Sequence, residues 1–203
     1  MRIGLLTCAS MLDQVRLVTK TLPDNAYSIY PVLPCCLFPV GSQTLRTQID
    51  KSVIANESTI IIYGSCHPDL EKLMNKYRDY SISMLGGKNC WEMSLPPSLL
   101  RKCLRNNEWM LSKPFLTKWR KEVIDGFGLN TKNGRVVLDS NVTKMVALRF
   151  KGIKFEEQII SEFADKVGIP YSIQEVSNSH LKIMLTKAVA KFDLPPIAIP
   201  LLK

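Results

Sequence analysis

The sequence predicts an α/β fold: an open, mostly parallel sheet of about five or six strands with helices on both faces. Two observations carry that expectation. Short apolar or β-branched runs alternate with longer segments whose apolar residues recur at helical spacing. The run Thr59-Ile60-Ile61-Ile62-Tyr63 is also apolar without a break, the pattern of a strand covered on both faces.

Taken in order, residues 2–7 read as the first strand, and Cys8 follows at once. Ser10 is placed to cap a helix running to about residue 22, with Met11, Leu12, Val15 and Val18 at helical spacing. Residues 27–33 read as a second strand, and two prolines fix the loop Pro34-Cys35-Cys36-Leu37-Phe38-Pro39 after it. A helix over 43–55 carries Leu45, Ile49, Val53 and Ile54 as an apolar stripe. The third strand, 59–63, runs into Gly64-Ser65-Cys66. A helix to about residue 77 follows, with Pro68 in its first turn and Asp69 and Glu71 at the same end. A fourth strand over 81–85 leads to Gly86-Gly87-Lys88-Asn89-Cys90-Trp91.

Residues 97–106 predict a helix, whereas 109–119 mixes aromatics with Pro114 and reads as a loop or lid. Another helix begins near 117. Asn133-Gly134 reads as a turn, 135–138 as a fifth strand ending at Asp139, and 142–150 and 155–167 as helices. Residues 171–176 read as a sixth strand and 180–192 as the last helix. The proline-broken, apolar tail 194–203 is expected to lie extended on the body. One α/β domain of 203 residues holds all of this, with a weak division near 129–133.

Composition bounds the function. Hydrophobic residues are 46% of the chain and charged residues 22%, enough apolar material for a core and not the make-up of a disordered chain. No apolar run reaches the roughly 18 residues that cross a bilayer. Asp13 and Arg16 interrupt the apolar start, which reads as strand and helix rather than a signal peptide. A cytoplasmic protein without membrane contact is expected. The formal charge of +9 favours anionic partners. Its basic residues are spread along helices, without a dense run, a zinc-finger spacing or an aromatic–glycine RNA motif. Nucleic acid is therefore a poor expectation, and an acidic protein a better one.

Six cysteines in a cytoplasmic chain are expected as thiols rather than disulfides. Five stand just after predicted strands: Cys8, Cys35 and Cys36, Cys66, and Cys90. In an open parallel sheet ligands bind beyond the carboxyl ends of the strands. Neighbouring strands are about 4.8 Å apart, so these loops can share an ion. Any single cysteine can be a small buried apolar residue, and Cys103, inside a helical pattern, reads that way. The five together predict a soft-metal site, zinc or an iron–sulfur cluster. Helix amino ends at that edge are expected to lower the thiol pKa values. Gly64 permits a tight turn that brings the backbone close to this site beside Tyr63, and Trp91 is a candidate wall for a planar cofactor. Gly86-Gly87 is a weak anion cradle without a phosphate fingerprint. His67 beside Cys66 is a candidate ligand or proton carrier, and His180 a weaker one. Asp139 is a candidate acid or a helix cap.

Cys8, Tyr63-Gly64-Ser65-Cys66, Asn89-Cys90 and Leu116-Thr117-Lys118-Trp119, in this order, resemble the domain-of-unknown-function 1638 family. That family has similar tyrosine–glycine–x–cysteine, histidine–aspartate–cysteine and leucine–threonine signatures, the last closed by tryptophan. The resemblance spans roughly residues 1–180. It implies Cys8, Cys66 and Cys90 as the core triad of ligands, with Cys35 or Cys36 as a fourth ligand or a thiol acting on substrate. It also implies a setting in the one-carbon metabolism of anaerobes and methanogens, beside a methyltransferase or a corrinoid protein. Corrinoid would then reach this chain only through such a partner. Lys88 and Asn89 stand where the family has histidine and aspartate, and Leu33–Phe38 holds cysteines where a histidine–asparagine pair is expected. Those departures bear on the ligand set. The expected function is a cysteine-ligated metal or iron–sulfur protein of methyl-transfer or thiol chemistry, or an accessory protein that docks a methyltransferase.

Overall fold

A computed structural model describes residues 1–22, 26–36, 38 and 40–192; the expected extended tail lies outside the described residues. The fold is α/β, and every strand pair is parallel. The strands divide between two sheets rather than forming one. The first has the order β2 (Ala26–Val32), β1 (Arg2–Cys8), β3 (Ser58–Ile62), β4 (Ile82–Met84). The second has the order β5 (Glu108–Leu111), β6 (Lys144–Phe150), β7 (Tyr171–Val176).

The first sheet is covered on both faces, as the buried, largely apolar central strands β1 and β3 require. Ile3, Leu5, Ile60 and Ile62 face α1 (Leu12–Thr19) and the last helix, α10 (Ser179–Ala190). The alternate residues Leu6, Cys8, Ile61 and Tyr63 face α2 (Ser42–Ala55) and the short α3 (Leu70–Met74). Gly4 sets how closely α2 approaches. A Cβ there would come within 2.0 Å of the Ser52 hydroxyl.

The chain leaves this sheet through α4 (Cys90–Ser94) and α5 (Pro97–Arg105). It builds β5, then α6 (Lys113–Lys118), a π-helical turn over Trp119–Val123 and the single turn α7 (Ile124–Gly126). The helices α8 (Lys132–Asn141) and α9 (Glu157–Val167) flank β6. After β7, α10 returns to the first sheet, so the two sheets are tied at both ends. Among the described residues no helix is long and apolar enough to cross a membrane.

The largest departures from expectation fall between residues 108 and 150. Residues 108–111 are not loop but the edge strand β5, with Trp109 edge-on to Phe127 and Phe163. Residues 135–138 are not a strand but lie in α8, which begins where the Thr131 hydroxyl accepts the Gly134 N–H at 3.1 Å. Val136 and Val137, the β-branched pair that suggested a strand, are exposed on that helix. Asp139 is likewise a helical residue and not a strand end. Residues 144–150, expected as helix, are the central strand β6, with Met145, Val146, Ala147 and Leu148 all buried. A continuous apolar run of that length suits either element. Here the strands on both sides decide it. At the other end of the chain Ser10 caps nothing; it lies in a 3-10 turn over Ala9–Met11.

Cys103 is buried among Leu95, Met110, Val146 and Leu148 in the second sheet's core. Beneath it Glu108 meets Lys144 at 3.2 Å, across paired positions of β5 and β6. Burial raises the Glu108 carboxyl. Hydrogen bonds from Cys103, Lys144 and Asn106, with the Lys144 charge, outweigh it and hold the group below its ordinary value. A carboxyl with a lowered folded pKa adds stability above its unfolded pKa and loses it as the pH falls through the folded value. Glu108→Gln should therefore destabilise the protein at neutral pH. The difference from the parent in urea unfolding should shrink as the pH falls from 7 towards 3. A difference constant across that range would contradict the assignment.

Candidate metal centre

Parallel pairing in register lines up the strand exits. Cys8 pairs with Val32 of β2, and Thr7 pairs with Ile62 of β3. Cys8, the Cys35-Cys36 loop and the Tyr63–Cys66 segment therefore leave the sheet side by side. β4 pairs with β3 at Ile61↔Met84 and brings the Gly86–Cys90 segment to the same edge.

Three local devices hold these loops. The Tyr63 hydroxyl donates to the Leu33 carbonyl at 2.7 Å and accepts the Cys35 N–H at 3.0 Å, so it pins the loop that carries Cys35 and Cys36. Gly64 lies against the next loop: a Cβ there would stand 2.5 Å from the Lys88 carbonyl oxygen and 2.7 Å from the Asn89 Cα. The Ser65 N–H donates to that same carbonyl at 2.8 Å. Asn89 caps α4, its Oδ1 accepting the Trp91 and Glu92 amides at 3.0 and 3.1 Å. The Glu92 carboxylate in turn accepts the Lys88 N–H at 2.8 Å. Aspartate would make the same cap, so asparagine at this position leaves the placement of Cys90 intact.

All six cysteines are free thiols. Cys8 is buried, and Cys36 and Cys66 belong to exposed residues. The Ser10 hydroxyl stands 2.9 Å from the Cys8 sulfur. Cys66 donates to the Gly64 carbonyl at 3.6 Å. The thiols sense one another. Desolvation first, then the neighbouring sulfurs, pushes Cys90 up to about 12 and Cys36 up to about 11, and raises Cys8. Cys66 is raised chiefly by desolvation, with Cys35 adding to it. Contrary to the expectation from the sequence, helix amino ends at this edge do not lower the thiol pKa values. Burial and mutual repulsion outweigh them, and the four thiols are neutral at pH 7.

The donor set thus fits a soft cation by type: several thiols in mutual electrostatic range, each of which a bound cation would favour as thiolate. Among the described residues no three His, Cys, Asp or Glu side chains are already gathered as a ligand group. His67 is engaged elsewhere. It is buried, its Nδ1 accepts the Asp69 N–H at 3.2 Å, and its Nε2 lies 3.0 Å from the Val40 carbonyl. The amide donor fixes the proton on Nε2, so neither nitrogen is free for an ion. His180 reaches the Glu92 carbonyl at 3.0 Å and joins α10 to α4. Trp91 lies against Phe115 with ring centroids 6.3 Å apart and forms part of the junction between α4 and α6.

Two residues that a reading of the sequence leaves out complete the surroundings. Ser10 faces the sulfurs. Gln14, buried at the start of α1, accepts the Ser94 hydroxyl at 3.0 Å and donates to Asn178 at 3.4 Å. Asn178 donates to the Lys151 carbonyl at 2.7 Å, so one chain of polar contacts joins both sheets at their carboxyl ends. A lone amide at a helix start gives no local signal of that role, because its partners Ser94 and Asn178 are remote in the chain.

A family model described as protein of unknown function (DUF1638) matches residues 42–185. The chain belongs to that family. The part matched to DUF1638 holds Tyr63, Gly64, Cys66, Cys90 and Trp91, and the Leu116-Thr117-Lys118-Trp119 segment; Cys8, Cys35 and Cys36 precede it. No curated protein matches the sequence. Among solved structures, the chain is similar to a dimeric Lac repressor carrying a C-terminal deletion and a substitution. The two share 9% identity and a TM-score of 0.44, over 94% of this chain and 89% of that one. It is also similar to arylmalonate decarboxylase at 11% identity and a TM-score of 0.31, over 94% and 92% of the two chains.

Two substitutions test this geometry. Tyr63→Phe removes both bonds to the Cys35 loop and should cost about 1–2 kcal/mol in urea unfolding. It should also speed the reaction of Cys36 with a thiol reagent, followed by mass spectrometry; an unchanged rate would dismiss the pin. Gly64→Ala forces the third and fourth strand exits apart and should cost about 1–3 kcal/mol. Thermal unfolding of this variant at the parent's midpoint would show that the contact has room.

Proposed function

We propose that this member of the DUF1638 family is a cysteine-ligated metal or iron–sulfur protein. Cys8, Cys66 and Cys90 would be the core ligands, and Cys36 or Cys35 the fourth ligand or a thiol acting on substrate. The observation that carries the reading is the parallel register that delivers Cys8, Cys36, Cys66 and Cys90, remote in sequence, to one sheet edge, where desolvation and neighbouring sulfurs raise their pKa values. Soft donors carried to one sheet edge, partly desolvated and repelling one another as anions, suit a site completed by a cation.

When bound, zinc would supply Lewis acidity to a thiol substrate, and a cluster would supply electron transfer. The chain's own residues do the rest. Ser10 hydrogen-bonds Cys8, Tyr63 holds the Cys35-Cys36 loop, and Gly64 and Asn89 set the spacing of Cys66 and Cys90. Methyl-group or thiol chemistry is the reaction class this donor set favours. A setting beside a methyltransferase or corrinoid protein rests on the family resemblance alone.

Elemental analysis and visible absorption of protein purified without oxygen should find about one equivalent of zinc, or of an iron–sulfur cluster. Cys8→Ser/Cys66→Ser/Cys90→Ser should lose it while its far-ultraviolet circular dichroism stays unchanged. Protein that is colourless, metal-free and unable to take up zinc, or iron with sulfide, would dismiss the reading.

A further inference from the structure

Beside the thiols the two sheets turn their carboxyl ends towards each other. The β1 exit, Ala9–Asp13, faces the β5 exit, Ser112–Pro114, and a cavity of about 420 Å³ lies between the first sheet's loops and α6. Leu33, Pro34 and Phe38 form one wall and Pro114 the other. The wall residues Pro34 and Phe38 bracket Cys35 and Cys36 in the chain, and Ala9, also in the lining, follows Cys8. A molecule in this cleft therefore lies along the loops that carry the thiols.

Its charged lining is Lys113, Lys118 and Asp13. Lys113 reaches Asp13 across the cleft at 3.4 Å. Lys118 stands 5.7 Å from the centre of the Phe38 ring, again across the cleft, and 3.6 Å from Glu122 in the π-helical turn that follows α6. These pairs are partly exposed, so each is worth little and is readily exchanged for a ligand charge. Thr117 adds a hydroxyl between the two lysines in sequence. The lining keeps a net positive charge, inside a chain whose overall charge is +9, and such a field concentrates anions. Apolar walls with a few convergent polar groups are the usual make-up of a small-molecule site.

We propose that this cleft binds a small organic anion. Its carboxylate or phosphate group would be held by Lys113 and Lys118, and its apolar part would lie against Leu33, Pro34, Phe38 and Pro114. This names a substrate class for the centre proposed above. It rests on that reading only for what happens at the thiols, because the binding itself needs no metal.

Calorimetric titration of the full-length protein with phenyl phosphate, phenylacetate and the neutral 2-phenylethanol tests it. At least one anion should bind with one-to-one stoichiometry, about tenfold or more tighter than the alcohol. The two anions separate a phosphate from a carboxylate ligand. Lys113→Met/Lys118→Met should weaken the anion about tenfold or more and leave the alcohol unchanged. Lys113→Arg/Lys118→Arg should keep the anion bound, and so should Lys51→Met/Lys182→Met, which removes the same charge elsewhere. Binding should also survive in Cys8→Ser/Cys66→Ser/Cys90→Ser, so loss of the metal reading leaves the pocket standing. Failure of both anions to saturate the parent protein, equal binding of the alcohol, or an unchanged affinity in the double methionine variant would overturn the proposal.

Discussion

Parallel pairing in register is the constraint on which the rest of this molecule depends. A parallel strand cannot turn back on itself, so each one ends at the same edge as its neighbours and hands its exit loop to a common space. In the first sheet that rule, with the register Cys8↔Val32, Thr7↔Ile62 and Ile61↔Met84, brings residues 8, 35, 36, 66 and 90 to one edge without any local motif. The side-chain period of two does the remaining sorting. Cys8 and Tyr63 face α2 and α3, whereas Ile3, Leu5, Ile60 and Ile62 face α1 and α10. A slip of one residue between β1 and β3 would move the Tyr63 hydroxyl off the Leu33 carbonyl and release the loop it holds.

The electrostatics of the thiols follow from that placement. An isolated thiol at a strand exit near a helix amino end is ordinarily made more acidic. Here each sulfur that gains such a neighbour also gains other sulfurs and loses water. Those two effects have the same sign, both favouring the neutral thiol, and they outweigh the hydrogen bonds from Ser10 and the local backbone that favour the anion. The protein thus holds a set of good thiolate ligands in a state that disfavours thiolate. A cation would reverse the balance for all of them at once, since the repulsion it removes is shared.

The sequence makes the first four strands legible and the next two opaque, for one physical reason. Strands 1 and 3 are largely apolar runs and strand 2 a β-rich one, and Cys8, Pro34 and Gly64 stand at or just beyond their ends, so those ends are marked. In 131–150 the same kinds of signal trade places. Val136 and Val137 are β-branched but sit on an exposed helix face started by Thr131, and Met145-Val146-Ala147-Leu148 has good helix formers in a strand. Local propensity is a weak prior, and β6 is decided by strands on both sides of it, which the sequence of one segment does not contain. Of the candidate centre, the cysteines were legible because strand exits are visible in sequence. Ser10, Gln14 and the locked tautomer of His67 were not, because each depends on a partner far away in the chain or on a backbone atom.

The second sheet contributes none of the clustered thiols. Its one cysteine in the chain order after Cys90, Cys103, is core and lies with Glu108 on the far side of β5's start. What it brings to the shared edge is Lys113 and Lys118, carried there by α6 at the β5 exit. Trp119, next along the chain, is buried and stacked on Phe163 at 5.2 Å, so the lysine-bearing segment is anchored in the second core while its charges face the first sheet. The cleft thus combines what neither sheet has alone, the apolar wall of the thiol-bearing loops on one bank and positive charge on the other. Gln14, Asn178 and the returning helix α10 tie the banks together, since the Gln14–Asn178 bond runs from the helix after β1 to the β7 exit and Asn178 in turn holds the β6 exit at Lys151. Substitutions that weaken those links would alter both banks together, whereas changes at the lysines or at the cysteines act on one.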